Sequence, residues 1–237
     1  MRLDKILSNL KYGSRSDIKA MAKAGLIEVN GILAKSSDQD VDPTKDIITF
    51  EGVTIFYKEF VYLMMNKPKG IVCAATDSLY PTFTSLIKDP FDRFELSVCG
   101  RLDVDSEGLI ILTNDGVFLH KVISPKNEIY KIYKVTLARP LTDYRRLEKG
   151  ISIMDGQEKP YVTKPARIFD VSGDTCRIAI SEGKFHQVKR MFEAIGNEVT
   201  ELRRETIGAL DLDWTLESGG YRELTEMECL ALLNNKQ

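Results

Sequence analysis

Two periodicities meet near residue 59, and their order restricts the fold more than any other feature of this 237-residue chain. Before that point Leu3, Ile6, Leu7 and Leu10 recur at i, i+3, i+4 and i+7, one face of an amphipathic helix that Tyr12-Gly13-Ser14 interrupts. A second short helix is expected next. Ser14 or Ser16 can cap it, Asp17 suits its first turn, Ile18, Met21 and Ala22 supply its buried face, and Gly25 ends it. Asn30-Gly31 between residues 26–29 and Ile32-Leu33 signals a hairpin, residues 38–46 form a polar loop around Pro43, and residues 47–50 a further strand. Beyond residue 59, segments 61–65, 108–113, 131–137 and 176–181 read as strands. Two further helices are expected there. One runs from His186 to Ile195, with Val188, Met191, Phe192 and Ile195 at helical spacing and Gly196-Asn197 as its stop. Without regular βαβ alternation this order predicts an α+β chain: a small helix-helix-hairpin domain over residues 1–57, then a larger domain over 59–237 with a mainly antiparallel sheet and flanking helices.

Composition narrows the setting. Hydrophobic residues make up 43% and charged residues 29%, values of an ordinary globular protein, and no apolar run approaches the ~20 residues that cross a bilayer. The first seven residues carry charge within their apolar stripe, so no export signal is expected. Cys73, Cys99, Cys176 and Cys229 lie far apart and only His120 and His186 accompany them, which predicts neither a zinc site nor disulfides and suits the cytoplasm. The net charge of −2 by itself argues against a nucleic-acid partner, but its distribution argues for one. Residues 121–146 hold seven bases against two acids, and residues 205–237 hold seven acids against Arg222 and Lys236, a pattern expected of a basic groove with an acidic back.

Lys11, Arg15, Lys19 and Lys23 fall four apart, so the last three form a basic stripe on the second helix that can follow phosphates without reading sequence. With Gly13-Ser14-Arg15, Gly25 and Val29-Asn30-Gly31 in matching places, this first unit resembles the S4-type RNA-binding module.

The densest polar segment is Gly100-Arg101-Leu102-Asp103-Val104-Asp105-Ser106-Glu107-Gly108. In an extended chain Asp103, Asp105 and Glu107 share a face and could hold a cation such as Mg²⁺; in a polar turn Asp105 or Ser106 instead bonds its own backbone. With Leu102 and Val104 directed to the core, Asp103 points into a cleft.

Six ordered segments resemble the motifs of the RsuA-type rRNA pseudouridine synthases: residues 66–70 (N-K-P-K-G), 100–109 around Leu102-Asp103, 112–116, 124–126, Lys131-Ile132-Tyr133, and 182–192 (E-G-K-F-H-Q-V-K-R-M-F). Val98-Cys99 departs from the usual Pro-Val or Pro-Ile pair before Gly100, a packing difference that leaves the catalytic positions intact. The resemblance implies isomerisation of a uridine in RNA, in which the N-glycosidic bond breaks, the uracil turns and a bond through C5 forms. No cofactor or metal is expected. Asp103 falls on the catalytic aspartate, adding covalently or assisting removal of a sugar proton, and a carboxylate at an anomeric centre is chemically reasonable. In a pocket dry enough for uracil a carboxylate needs a cation nearby to stay charged, and Lys189 falls on that partner. Tyr133 falls on the tyrosine that packs against the target base. Arg101 falls where related synthases place a residue that enters the RNA helix as the uridine is flipped out, or else pairs with Asp105 or Glu107. RNA contacts are expected of Arg101, Lys11, Arg15, Lys19, Lys23, Lys184 and Arg190. His186 is expected to bond structurally or to meet phosphate.

Residues 201–210 and 219–225 are similar to the small-subunit branch, which points to 16S rRNA as substrate and to a cytoplasmic monomer whose partner is that RNA, alone or in a pre-ribosomal particle. The alternatives are a 23S rRNA enzyme of the same group, a non-catalytic RNA-binding or ribosome-assembly protein, and a metal-dependent nuclease using Asp103, Asp105 and Glu107.

Overall fold

The computed structural model describes residues 1–234, so Lys236 lies outside the described residues. It divides into two compact units, residues 1–61 with 87–96, and residues 62–86 with 97 onward. The first opens with α1 (Leu3–Asn9), whose Leu3, Ile6 and Leu7 are fully buried together with Leu10 just beyond it. In α2 (Arg15–Lys23) Ser14 is the cap: its hydroxyl accepts from the Asp17 N–H while the Asp17 carboxylate accepts from the Ser14 N–H. Strands β1 (Ile27–Val29) and β2 (Ile32–Leu33) form the hairpin, with Asn30 and Gly31 at φ of 55° and 76°, the left-handed pair such a two-residue turn requires. The four-stranded sheet is completed by β3 (Ile48–Phe50), paired antiparallel with β1, and β4 (Val53–Thr54).

The sequence reading gave residues 87–96 to the second domain, and the structure places them in the first unit. Phe91 and Phe94 stack edge-on against Phe56 with centroids 5.5 and 6.0 Å apart, and the Arg93 guanidinium lies 4.2 Å over the Tyr12 ring. The Lys11 ammonium donates to the carbonyls of Asp92 (2.8 Å) and Phe94 (3.2 Å). Aromatic contacts between residues so distant in sequence leave no periodic signal.

In the second unit β5 (Tyr62–Lys67), β6 (Ser97–Val98), β7 (Glu107–Thr113), α3 (Gly116–Ile123), β8 (Lys131–Leu137), α4 (Arg145–Glu148), β9 (Ser152–Met154) and β10 (Pro160–Val162) are followed by β11 (Arg167–Ser172), β12 (Thr175–Ile180), α5 (Gln187–Glu193), β13 (Val199–Ile207), β14 (Leu210–Asp211), β15 (Tyr221–Glu223) and α6 (Glu226–Leu232). Nine of these strands form one sheet in the order β11-β12-β8-β13-β7-β5-β15, with β14 on β13 and β6 on β7. All its pairings are antiparallel except β13 with β7. At that junction Gly108, at φ 104°, lies so close to β13 that a Cβ would stand 2.3 Å from the Arg204 carbonyl oxygen, so only glycine fits.

Central β7 is buried on both faces, which is why residues 108–113 read as a continuous apolar run. Leu109 and Ile111 join Met64, Phe118, Val122, Ile207 and Leu232 in a cluster that seats α3 and α6. The second unit therefore carries more helices than the two expected. In α3 Asp115 caps the backbone N–H groups of Val117 and Phe118, and α6 is started by a Thr225–Glu228 capping box inside a strongly acidic stretch. That stretch is not simply a solvated back: Glu205 pairs with Arg177 (2.7 Å), and Asp213 (2.6 Å) and Glu228 (2.7 Å) clamp Arg222.

Candidate active site

The β6–β7 connection, residues 99–106, is a tight turn rather than an extended segment. Leu102 is buried, Val104 half-buried, and the Asp103 side chain emerges between them 26% exposed. Two buried cations hold this turn by its carbonyl oxygens. Lys67, at the end of β5 and wholly buried, donates from Nζ to the carbonyls of Pro68 (2.9 Å), Asp103 (3.1 Å) and Ser106 (2.8 Å). Arg204 of β13, 2% exposed, donates to the carbonyls of Leu109 (2.8 Å) and Gly100 (2.7 Å). Burial pushes the Lys67 ammonium below its ordinary pKa, against the pull of Asp103 and Asp105.

Helix α5 supplies the opposite wall. His186 precedes it in the left-handed conformation, and buried Gln187 fixes the entry by accepting from the Lys184 N–H and donating to Glu182. One turn in, Lys189 places its ammonium 3.5 Å from Asp103 Oδ2 and 2.5 Å from Asp105 Oδ1. His186 Nε2 lies 3.4 Å from Asp103 Oδ1, its ring stacked on Phe185 at 3.8 Å. Burial acts to raise the Asp105 carboxyl, but the hydrogen bond and charge of Lys189 outweigh it, so its pKa stands below the ordinary value. Glu107 turns to Arg203 (3.7 Å). The three carboxylates are thus not gathered on one face, and among the described residues no cluster of His, Cys, Asp or Glu suits a metal ion.

Tyr133, in the middle of β8 and 7% exposed, lines a cleft of about 60 Å³ with Asp103, Ser106 and His186, and the Arg204 guanidinium lies 6.0 Å from its ring centroid. A wider cavity of about 540 Å³ opens beside it, lined by Cys73, Leu79, Tyr80, Arg101, Asp103 and His186 among others. The arrangement sets a half-buried carboxylate against a cation and beside an aromatic ring. It can hold a planar base and present an oxygen to its sugar.

The structure brings Asp103 together with Tyr133 and with Lys189, and leaves Arg101 exposed at the rim and, among the described residues, without the alternative pairing to Asp105 or Glu107. Lys184 is also exposed at the cavity, its ammonium 4.7 Å over the Tyr161 ring. Arg15, Lys19 and Lys23 are exposed along α2. Two of the expected RNA contacts are engaged elsewhere. Lys11 holds residues 92 and 94, and Arg190 donates to the carbonyls of Met154 and Asp155 while lying 5.0 Å over Phe185. Sequence reasoning missed His186 as a neighbour of Asp103 and passed over Lys67 and Arg204. The only available signal was that both cations adjoin apolar strand residues, which is also how an ordinary surface cation at a strand end looks.

Residues 61–194 match the family model for RNA pseudouridylate synthase and residues 1–48 that of the S4 domain. The chain is 45% identical to an uncharacterized RNA pseudouridine synthase, YtzG, of Bacillus subtilis, with all of both chains covered. It is 39% identical to ribosomal small subunit pseudouridine synthase A of Yersinia pestis, over 96% of each. A crystal structure of a pseudouridylate synthase shares 39% identity and superposes with a TM-score of 0.68, covering 98% of this chain and 99% of that one. By its sequence over the whole length and by its fold, the chain belongs to the RNA pseudouridylate synthase family, as an isomerase with an S4 domain at its N-terminal end.

Proposed function

We propose that the protein converts a uridine of small-subunit (16S) ribosomal RNA to pseudouridine, with Asp103 as the carboxylate that acts on the ribose of the target nucleotide. The observation that carries this reading is that Asp103 shares one cleft with Tyr133 and stands 3.5 Å from the Lys189 ammonium, in a chain 39% identical over nearly its full length to proteins named ribosomal small subunit pseudouridine synthase A. Tyr133 supplies a ring face for the uracil and Arg101, exposed at the rim, takes the place the base vacates in the RNA. The Lys189 ammonium stands 3.5 Å from one oxygen of Asp103 and fixes its carboxylate beside the sugar; His186 bounds the other oxygen. Bond breaking and re-formation exchange atoms within one nucleotide, so the residues need only orient the base, stabilise charge on the sugar and move one proton. The S4 segment, residues 1–57, holds the RNA backbone along the α2 stripe, and the protein works as a cytoplasmic monomer.

The test is pseudouridine mapping of 16S and 23S rRNA from cells with and without the gene, with wild type or Asp103→Asn supplied back. Loss of one 16S pseudouridine, restored by wild type alone, is the expected result. Loss confined to 23S overturns the substrate, and no change in either overturns the reading.

A further inference from the structure

Tyr133 also lines a second cavity, of about 470 Å³, that Asp103 does not line. Its volume falls within the roughly 300–1,000 Å³ of small-ligand sites. The two cavities share Arg101, Tyr133, Gly183 and Lys184, so a strand whose uridine sits at Asp103 can continue from one to the other. Ile123, Pro125 and Tyr161 give the second cavity an apolar wall. Its carboxylate, Glu182, is already committed: it accepts from the Tyr161 hydroxyl, from the Lys164 N–H (2.9 Å) and from the Gln187 amide (2.9 Å). Lys164 pairs through its ammonium with Glu128 at 2.6 Å, and Arg204 is spent on carbonyls.

Lys131 is different. It begins β8 on the same face as Tyr133, is only 9% exposed, and its ammonium has no hydrogen-bond or ion-pair partner among the described residues. Burying an ammonium without a counter-charge is costly, so a fold that keeps one facing a cavity is built to receive an anion there. Burial, helped by nearby Arg204, pushes its pKa down to about 8, which expresses the same cost.

We propose that this cavity is a second nucleotide subsite, in which Lys131 receives the phosphate of the nucleotide linkage adjoining the target uridine and the Ile123–Pro125–Tyr161 wall covers its sugar and base. This rests on the uridine reading of the Asp103 cleft. The linkage is 5′ or 3′ to the uridine, and the probes separate the two.

The full-length protein and Lys131→Met are titrated with uridine, uridine 5′-monophosphate and uridine 3′-monophosphate, and both proteins are melted. One monophosphate is expected to bind wild type about tenfold more tightly than uridine, as suits one charge-assisted contact. Lys131→Met should erase that gain, leave uridine binding unchanged and melt no lower than wild type. Lys131→Arg should keep part of the gain. The proposal is overturned if neither phosphate adds affinity, if the gain survives in Lys131→Met, or if that variant weakens uridine to the same degree, which would assign Lys131 to the target base. Failure of the uridine reading shows separately, as unchanged pseudouridine in the rRNA map.

Discussion

The buried ammonium of Lys67 ends on the backbone carbonyl of Asp103, 3.1 Å away, so the turn that presents the carboxylate hangs from a cation in the strand beneath it. Lys67→Met removes the donor and leaves the carbonyls of Pro68, Asp103 and Ser106 without it. The expected cost is about 2–4 kcal/mol of stability, together with a fall in kcat larger than any loss of RNA affinity. Denaturant unfolding and steady-state kinetics on one preparation test this, and unchanged kcat in a folded variant would show that the turn keeps its shape unaided.

Asp103 and Lys189 act as a pair in the proposed reaction, and their variants should separate chemistry from binding. Asp103→Asn is expected to lower the single-turnover rate by at least about 10²–10⁴-fold while RNA affinity changes little. Lys189→Met should also lower the rate, with partial rescue by Lys189→Arg, because it removes the cation 3.5 Å from Asp103. Asp105→Asn should matter less, since Asp105 is 66% exposed and touches the site only through Lys189. A rate for Asp103→Asn equal to wild type would refute the catalytic assignment.

The basic residues near the N-terminus divide into two kinds. Replacing Arg15, Lys19 and Lys23 together with Ala should weaken RNA binding and reduce the slope of log K against log[salt] by about two units, with the chemical step unchanged. Lys11→Ala should leave that slope alone and instead loosen residues 87–96, because its ammonium is bound to the carbonyls of Asp92 and Phe94. Limited proteolysis reads the second effect, and a salt slope lowered by Lys11→Ala would contradict the division.

Local rules made the first unit legible. The helical spacing of Leu3, Ile6 and Leu7, the Ser14 cap and the Asn30-Gly31 turn each depend on neighbours within a few residues, and each is found as expected. Strand β8 matches its expected span because its alternation is regular, Lys131, Tyr133, Val135 and Leu137 facing inward. What stayed hidden depends on distant partners. Lys67 and Arg204 look like surface residues until carbonyls from another segment surround them, and Arg222 finds Asp213 and Glu228 only once β15 and α6 are placed. His186 escaped for the same reason: its neighbour, Asp103, is 83 positions earlier in the chain. Asp103, Tyr133 and Lys189 are singled out only by the resemblance of their motifs, since spacing alone leaves each ambiguous.

The Arg222 clamp makes a distinct demand at low pH. Its partners hold Glu228 down to about 2, chiefly through the Arg222 hydrogen bond, and Asp213 down to about 2 through Thr215 and then Arg222. Both folded values lie below the ordinary carboxylate range, so the stabilisation is complete above about pH 4.5 and is lost as pH falls toward 2. Arg222→Met should flatten the fall in stability across that window, measured by urea unfolding at pH 5 and pH 3; equal falls in the two proteins would refute the coupling.

Lys131 produces the opposite slope at high pH. Its folded pKa of about 8 lies below the ordinary lysine value of 10.5, so between those values the unfolded chain binds more protons than the native one and stability must rise with pH. Below pH 8 the full cost of the buried ammonium is present, of the order of 3 kcal/mol. Lys131→Met carries no such charge. It should be more stable than wild type at pH 7, and the difference should narrow steadily as pH is raised toward 10.5. Urea unfolding of both proteins at pH 7, 8.5 and 10 measures the gap directly, and groups common to both cancel from it. A gap that stays constant with pH would mean that the ammonium is solvated in the native state, and with it would go the physical reason for an anion in that cavity.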